Sequence, residues 1–324
     1  MKTVVCKMWG PPESLVIENL PDMIPLDEEV VIDVKAAGVN FPDVLIIQNK
    51  YHIKPPLPFT PGSELAGIVQ AVGKKVMHVR PGDAVIAWST YGAFGSQARM
   101  LAEDVIPLPS SLDFETAAAF SMTYGTSYHA LFDRGQLKAG ETLLVLGAAG
   151  GVGLAAVEIG KAIGARVIAA ASTDRKLEVC SEHGADAVIN YNAENLRERI
   201  KDLTSGKGVD VIFDPVGGIY AEPAFRSVAW RGRYLIVGFA NGEIPKLPFN
   251  LPLLKGAALI GVFWGDFIKR EPKSSRTDLV TMAAWVRDKR VHPYISARYK
   301  LEETPKALLD MAARKTTGKV LIIP

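Results

Sequence analysis

The spacing of apolar residues changes character along the chain. Up to residue 107 they come in short runs with a β-like rhythm, at 3–9, 15–20, 29–34, 65–72, 91–100 and 104–107, separated by turns rich in proline and glycine. Such runs predict a turn-rich, all-β region. The segment 73–87, GKKVMHVRPGDAVIA, reads as a turn, a short strand, a tight RPGD turn and another strand. One stretch breaks the rhythm. In AAGVNFPDVLIIQ (36–48), Asn40, Pro42 and Asp43 stand just before a helical apolar pattern. Asn40 or Phe41 is the expected cap, with Pro42 in the first turn.

From residue 113 onward strands alternate with helices. Asp113 with Thr116 marks a helix start, and the pattern predicts a helix over 115–132. Strands then fall at 142–146, 166–171, 187–190, 210–213, 233–237 and 257–262, with helices at 152–163, 175–183, 195–203 and 220–229 between them. That alternation is the signature of a doubly wound parallel sheet. Beyond residue 263 the pattern changes again, to helices at 277–288 and 304–314 and strands at 296–301 and 319–323. This tail is read as returning to the first region.

The stretch 142–172 carries the chemistry. An apolar strand runs straight into GAAGGVG (147–153), and a helix follows. Amides at a helix start lack intrahelical partners, and the helix dipole adds partial positive charge there, so this turn is a phosphate cradle. Ala148 departs from the first glycine of a GxGxxG pattern. Gly150, Gly151 and Val152 line the turn, and Gly153 lets the helix pack closely on the strand. A dinucleotide is the expected ligand. About 20 residues past such a turn an NAD-binding chain places Asp or Glu on the ribose hydroxyls. Here Ala171 and Ser172 occupy that place, and Arg175 and Lys176 follow. Ser, Arg and Lys suit a 2′-phosphate, which a carboxylate would repel, so NADPH is expected over NADH. Asp174 dissents and is read as a helix cap. Tyr191, just past the third strand, is placed at the adenosine pocket.

Composition narrows the alternatives. The 324 residues are 48% hydrophobic and 22% charged, enough for two globular domains. Net charge is only +2, without a basic stripe, so no nucleic-acid partner is expected. No signal-peptide pattern or long apolar run is present, so no membrane association is expected, and the cytoplasm is the default location. The two cysteines, Cys6 and Cys180, make neither a disulfide framework nor a metal cluster. The five histidines lack metal-ligand spacing, so no metal site is expected.

The motifs AAGVNFPDVL, PGSELAGIV, VRPGDAV, GAAGGVG and TTGKVLIIP, in that order, resemble the zinc-independent NADPH:quinone oxidoreductases of the medium-chain dehydrogenase/reductase superfamily. The resemblance spans the whole chain. It implies an α/β architecture in which a Rossmann domain (123–262) is inserted in a GroES-like, mostly β catalytic domain (1–122 and 263–324). It implies NADPH-dependent reduction of quinones or activated enones by hydride transfer without zinc. Zinc-dependent relatives have Cys where Asn40 stands and His where Ser63 stands; Glu64 is kept.

By matching position, the resemblance places Asn40 and Asp43 beside the nicotinamide, where both also suit helix capping. Tyr51 matches a tyrosine that related enoyl reductases use as a proton donor, or is a loop tyrosine packed over the cleft. Thr126 matches a cofactor-touching residue. Gly238, Phe239 and Asn241 follow the fifth strand, where open α/β sheets bind ligands. Val262 and Trp264 are expected to frame the carboxamide. Arg314 matches a cofactor-directed arginine, or is an ordinary charge closing a helix. The apolar segment 251–262 reads as an edge strand on which two copies would pair, giving a homodimer. Two other functions stay open: an enoyl-thioester reductase acting on CoA- or carrier-bound substrates, and an NADPH-binding protein with little catalysis.

Overall fold

The computed structural model describes residues 1–110 and 112–324. The chain divides into two compact units, Met1–Met122 with Pro293–Pro324, and Thr123–His292.

In the first unit the strands are β1 (Lys2–Val5), β2 (Val16–Asn19), β3 (Glu29–Val39), β4 (Glu64–Val72), β5 (Ala84–Trp88), β6 (Gln97–Leu101) and β7 (Val105–Pro107). Numbering the strands through the chain, β14 (Ile295–Lys300) and β15 (Lys319–Ile323) join them from the C-terminal segment. Seven strands form one sheet in the order β14-β15-β3-β4-β5-β7, with β6 on β3. β3 runs to Val39 rather than stopping near residue 34, because it serves two partners on one edge. Its first half pairs with β6, Glu29 opposite Leu101, and its last residues pair with β15, Val39 opposite Val320. Register shifts at Val31/Ile32 and Val34/Ala36 bend the strand between them. The pairing with β15 sets Lys319 beside the end of β3. The short helix α1 (Phe41–Ile46) follows β3 at once, and α2 (Phe114–Ala118) starts at Asp113, whose carboxylate accepts the Thr116 N–H. The strand expected near residues 76–79 is absent, but Val76 and Val79 are buried in the core, which is what their apolar character required.

The second unit is built on a parallel sheet in the order β10-β9-β8-β11-β12-β13. Its strands are β8 (Thr142–Leu146), β9 (Arg166–Ala171), β10 (Ala187–Asn190), β11 (Val209–Asp214), β12 (Val228–Ile236) and β13 (Ala258–Gly261). The order reverses beside β8, the crevice where doubly wound sheets bind nucleotides. The helices are α3 (Ser121–Tyr128, across the junction), α4 (Gly151–Ile163), α5 (Asp174–Glu182), α6 (Leu196–Leu203), α7 (Ala221–Arg226), α8 (Asn250–Lys255), α9 (Trp264–Arg270) and α10 (Pro272–Arg287). In the first unit, α11 (Thr304–Ala312) completes the set. Leu144, Leu146, Ile168, Ile212 and Phe225 form the core, each contributing about 1.5–3 kcal/mol relative to exposure.

Three expectations are corrected here. The helix expected over 115–132 is interrupted after Ala118 and ends as a π-helical turn, His129–Arg134. The expected edge strand over 251–262 is a helix, α8, stopped by Gly256 in a left-handed conformation (φ 55°), and only β13 is strand. Residues 263–292 belong to the second unit, not the first. Trp264 packs on Gly125, Phe267 stacks on His129 with ring centroids 3.9 Å apart, and Trp285 meets Tyr128 edge-on at 5.9 Å. These large apolar side chains hold α9 and α10 against α3 and the π-helical turn that follows it, and the crossing lies at 292/293 rather than 262/263. Among the described residues no helix is long and apolar enough to cross a membrane.

Candidate functional site

In the second unit the parallel strands all end on one edge of the sheet, and the sequence-selected residues gather there. β8 ends at Leu146, and Gly147 turns the chain in a left-handed conformation (φ 57°). Gly150 is the N-cap of α4, and the first i→i−4 bond is Leu154 N–H to the Gly150 carbonyl. The amides of Gly151, Val152 and Gly153 therefore precede the helical ladder, the position from which a helix start can donate to an anion. Ala148 and Gly150 are not part of that donor set. Ala148 is buried and donates to the Ala170 carbonyl, and Gly150 donates to the Gly147 carbonyl. Their role is to shape the turn. A Cβ on Gly153 would lie 2.3 Å from the Gly147 carbonyl oxygen, so only glycine lets the helix start this close to the strand.

At the end of β9, Ser172 Oγ accepts from Lys176 Nζ at 3.4 Å, and Arg175 is exposed one residue earlier. Thr173, not Asp174, caps α5, accepting the Lys176 N–H with its hydroxyl. The Asp174 carboxylate instead accepts from the Asn190 amide at 2.7 Å, which turns it toward β10. Tyr191 follows β10 with its ring 4.3 Å from that of Tyr220, whose hydroxyl bonds Asn192.

The remaining strand ends are held from below. Asp214 closes β11, and its buried carboxylate accepts the amides of Val216 and Gly217 at 2.7 and 2.8 Å and the hydroxyl of Tyr234. Burial pushes both the Asp214 and Tyr234 pKa values up. Gly217 and Gly218 turn this loop with positive φ, and a Cβ on Gly218 would strike Asn241 at 2.6 Å. Gly238 donates to the Asp214 carbonyl, and Phe239 is partly exposed beyond it. Val262 donates to the Ile236 carbonyl, and Trp264 is buried over Gly125. Thr126 sits on the same helix, α3, which is tied to the start of α4 by Ser127 Oγ donating to the Val152 carbonyl at 2.7 Å.

The first unit holds a different construction: a buried polar cluster at the junction of β3, α1, β4 and β15. Glu64, wholly buried, accepts at Oε1 from Lys319 Nζ (2.6 Å) and Asn40 Nδ2 (2.8 Å). Its Oε2 accepts from Ser121 Oγ (2.7 Å) and the Met122 N–H (2.9 Å). Lys319, 3% exposed, also donates to Asn40 Oδ1 (2.9 Å) and the Val39 carbonyl (3.2 Å). Every strong donor and acceptor of this ion pair is thus matched, the condition under which a buried pair is tolerable. Gly38 makes room for it, since a Cβ there would lie 2.5 Å from Glu64 Oε1. Asn40 is the N-cap of α1 by backbone conformation, but its side chain serves the cluster instead of the helix.

Asp43 is the partner that caps. Its carboxylate accepts the Asn40 N–H at 2.7 Å. It is 1% exposed, and burial raises its pKa to about 7, against the opposing pull of that N–H, Lys319 and Ser63. Tyr51 is half-buried against the core, its ring 4.1 Å from that of His52. Burial, then the nearby charge of Asp43, raises its pKa, so the phenol keeps its proton at neutral pH. Arg314 is exposed at the end of α11 and closes that helix through its left-handed backbone (φ 57°): its N–H donates to the Met311 carbonyl and the Lys315 N–H to the Asp310 carbonyl.

Lys319, Glu64 and Ser121 were not among the candidate site residues, Glu64 being noted only as kept from zinc-dependent relatives. A signal for the first two exists. Lys319 opens the apolar strand KVLII and Glu64 the apolar strand ELAGIV, and a charge at the buried start of a strand needs a partner. Nothing in the sequence says that the two partner each other.

Both units are similar to known proteins. A model described as "Alcohol dehydrogenase GroES-like domain" matches residues 26–110, and one described as "Zinc-binding dehydrogenase" matches 151–283. A quinone oxidoreductase-like protein 2 homolog of Nematostella vectensis is 39% identical, covering 99% of this chain and 88% of its own. Human quinone oxidoreductase is 32% identical over 100% of this chain and 98% of its own. The crystal structure of Escherichia coli quinone oxidoreductase complexed with NADPH superposes with a TM-score of 0.92 at 30% identity, covering 100% of both chains. Similarity of this extent, over both units and with the same order of parts, shows that the chain belongs to the quinone oxidoreductase family of the medium-chain dehydrogenase/reductase superfamily.

Proposed function

We propose that the chain reduces quinones or activated enones with NADPH and without zinc. The observation that carries this reading is the Glu64–Lys319–Asn40 cluster. A zinc site needs thiolate, imidazole or carboxylate ligands converging on one point. Here the carboxylate converges on an ammonium, beside an amide and the Ser63 hydroxyl. In the span matched by the zinc-binding dehydrogenase model, Cys180 is buried with its thiol pushed up to about 12, and His183 faces Glu158. Among the described residues no group of three His, Cys, Asp or Glu side chains could hold a metal ion. These residues do not fit zinc. Without a Lewis acid on the acceptor, the favoured substrates are those that accept hydride unaided, as quinones and enones do.

The second unit fits NADPH. The amides of Gly151–Gly153 would hold a pyrophosphate, and Ser172, Arg175 and Lys176 would offer donors to a 2′-phosphate, while Asp174 is held by Asn190. When bound, the nicotinamide supplies the hydride. Asn40 offers a hydrogen bond. Asp43 is neutral below pH 7 and does not oppose negative charge developing on the acceptor. Tyr51 holds a phenolic proton for the reduced product.

NADPH oxidation with benzoquinone, naphthoquinone, a small enone and crotonyl-CoA tests the reading. Turnover of the quinones or the enone supports it. Turnover of the thioester far above the rest favours an enoyl-thioester reductase, and silence across the panel with tight NADPH binding favours a binding protein. Tyr51→Phe is expected to lower enone turnover by about 10²-fold, and unchanged turnover removes Tyr51 from the mechanism. We further propose a homodimer through the β13 edge, where Trp230, Phe249, Leu253 and Leu254 are exposed. A monomer mass by light scattering would contradict it.

A further inference from the structure

We infer that Lys319 is a positioning residue for the reaction: its buried ammonium fixes which way the Asn40 carboxamide faces. The inference rests on the proposed function, since it assigns Asn40 a role in that chemistry. A carboxamide has two ends of nearly equal shape and opposite polarity. At Asn40 the two ends have opposite partners. Oδ1 receives the Lys319 ammonium at 2.9 Å, and Nδ2 gives a proton to Glu64 Oε1 at 2.8 Å. Turning the amide over would set its oxygen against a carboxylate and its NH₂ against an ammonium. Lys319 therefore permits one orientation.

That orientation leaves a defined group for a ligand. One Nδ2 proton is taken by Glu64. The other has only long contacts, 3.3 Å to Ser63 Oγ and 3.4 Å to the Gly38 carbonyl. A ligand oxygen beside Asn40 competes with weak partners for that proton. Without the ammonium, Oδ1 loses its donor and Glu64 loses its counter-charge. One of the two contacts that hold the amide is then gone, and with Glu64 alone the free N–H is aimed less firmly.

The experiment compares the wild-type enzyme with Lys319→Ala, which removes a propylammonium group. Acceptor kinetics, NADPH affinity by fluorescence, and thermal melting are measured for each. We expect kcat to fall about 10²-fold, the loss typical of a small misplacement, with NADPH affinity unchanged. Added propylammonium should restore part of kcat, and tetramethylammonium, which cannot donate a hydrogen bond, should not. Retained kcat, or a loss that propylammonium does not reverse, overturns the inference. If Lys319→Ala does not fold, the double variant Lys319→Met/Glu64→Gln removes both charges and keeps the volume. It should fold with a similarly reduced kcat, and wild-type kcat in that protein overturns the inference.

Absence of turnover by the wild-type enzyme refutes the proposed function instead. The Asn40 side-chain amide, assigned by its loss in Asn40→Ala, then reads the orientation directly by NMR. Two well-separated, slowly exchanging proton signals in the wild type that become one exchange-broadened pair in Lys319→Ala support the assignment. Signals unaltered by the substitution overturn it.

Discussion

The glycine turn and the polar cluster, the two halves of the proposed site, arrange polar groups with opposite materials. The cradle uses main-chain amides at positions 151–153, a turn and a helix start, all within one short stretch of chain. Its geometry is a consequence of local conformation, and one glycine, Gly153, decides it. The cluster uses side chains from residues 40, 43, 63, 64, 121 and 319, brought together by β3, α1, β4, the start of α3 and β15. Its geometry depends on the whole first unit. A local site tolerates change elsewhere in the fold but no added atom at its turn. A dispersed site tolerates small changes in backbone but not the loss of one member of its charge balance.

The largest effect should come from breaking that balance. Glu64→Gln leaves the Lys319 ammonium buried without its carboxylate, and removing one partner of such a pair costs about 3–5 kcal/mol. Urea unfolding followed by a probe in the first unit should show this loss. A change below about 0.5 kcal/mol, the scale of an ordinary surface substitution, would mean that the pair is not buried as described. In the cradle, Gly153→Ala puts a Cβ 2.3 Å from the Gly147 carbonyl oxygen. The helix start must shift, at about 1–3 kcal/mol of stability, and NADPH affinity should fall with it. Unimpaired affinity in this variant would refute the cradle.

The difference between the two sites also explains what could be read before the structure. Strand, glycine turn, helix and second strand are written in consecutive residues, so 142–171 was legible almost to the residue. The cap of α5 was misplaced by one position because Thr173 and Asp174 are both capping types, and only the Asp174–Asn190 bond separates them. In the cluster, Asn40 and Asp43 were visible as polar residues at a helix start. That Asp43 caps while Asn40 turns away depends on Glu64 and Lys319, which are remote in sequence. The second domain crossing was misplaced for the same reason. Nothing local in 263–292 shows that Trp264, Phe267 and Trp285 pack on Gly125, His129 and Tyr128. Within 251–262 an apolar run could be helix or strand, and Gly256 in a left-handed conformation resolved it into both.

A smaller effect separates the sites by pH. Asp43 is faced by Lys319, Glu64, Ser63, the Asn40 N–H and Tyr51, and burial dominates, so it is protonated below about 7 and charged above. A carboxyl whose pKa is raised on folding favours the folded state most at pH values below its unfolded value, near 4, and loses that contribution as pH rises through about 7. Both stability and kcat should therefore decline through neutral pH, and Asp43→Asn should flatten both profiles. NADPH affinity, set in the other unit, should not follow the same curve. A kcat profile that keeps its neutral decline in Asp43→Asn would assign the titration to another group.

The central claim is that the chain joins a 2′-phosphate-selective cradle to a metal-free reduction site. Its most direct test is the steady-state kcat/KM for reduction of 1,4-naphthoquinone with NADPH and with NADH, in buffer treated with a strong chelator. The expected result is turnover unaffected by the chelator and a preference for NADPH of about tenfold or more, the worth of one charge-assisted contact. Equal use of NADH, or activity that disappears with the chelator and returns with zinc, would contradict it.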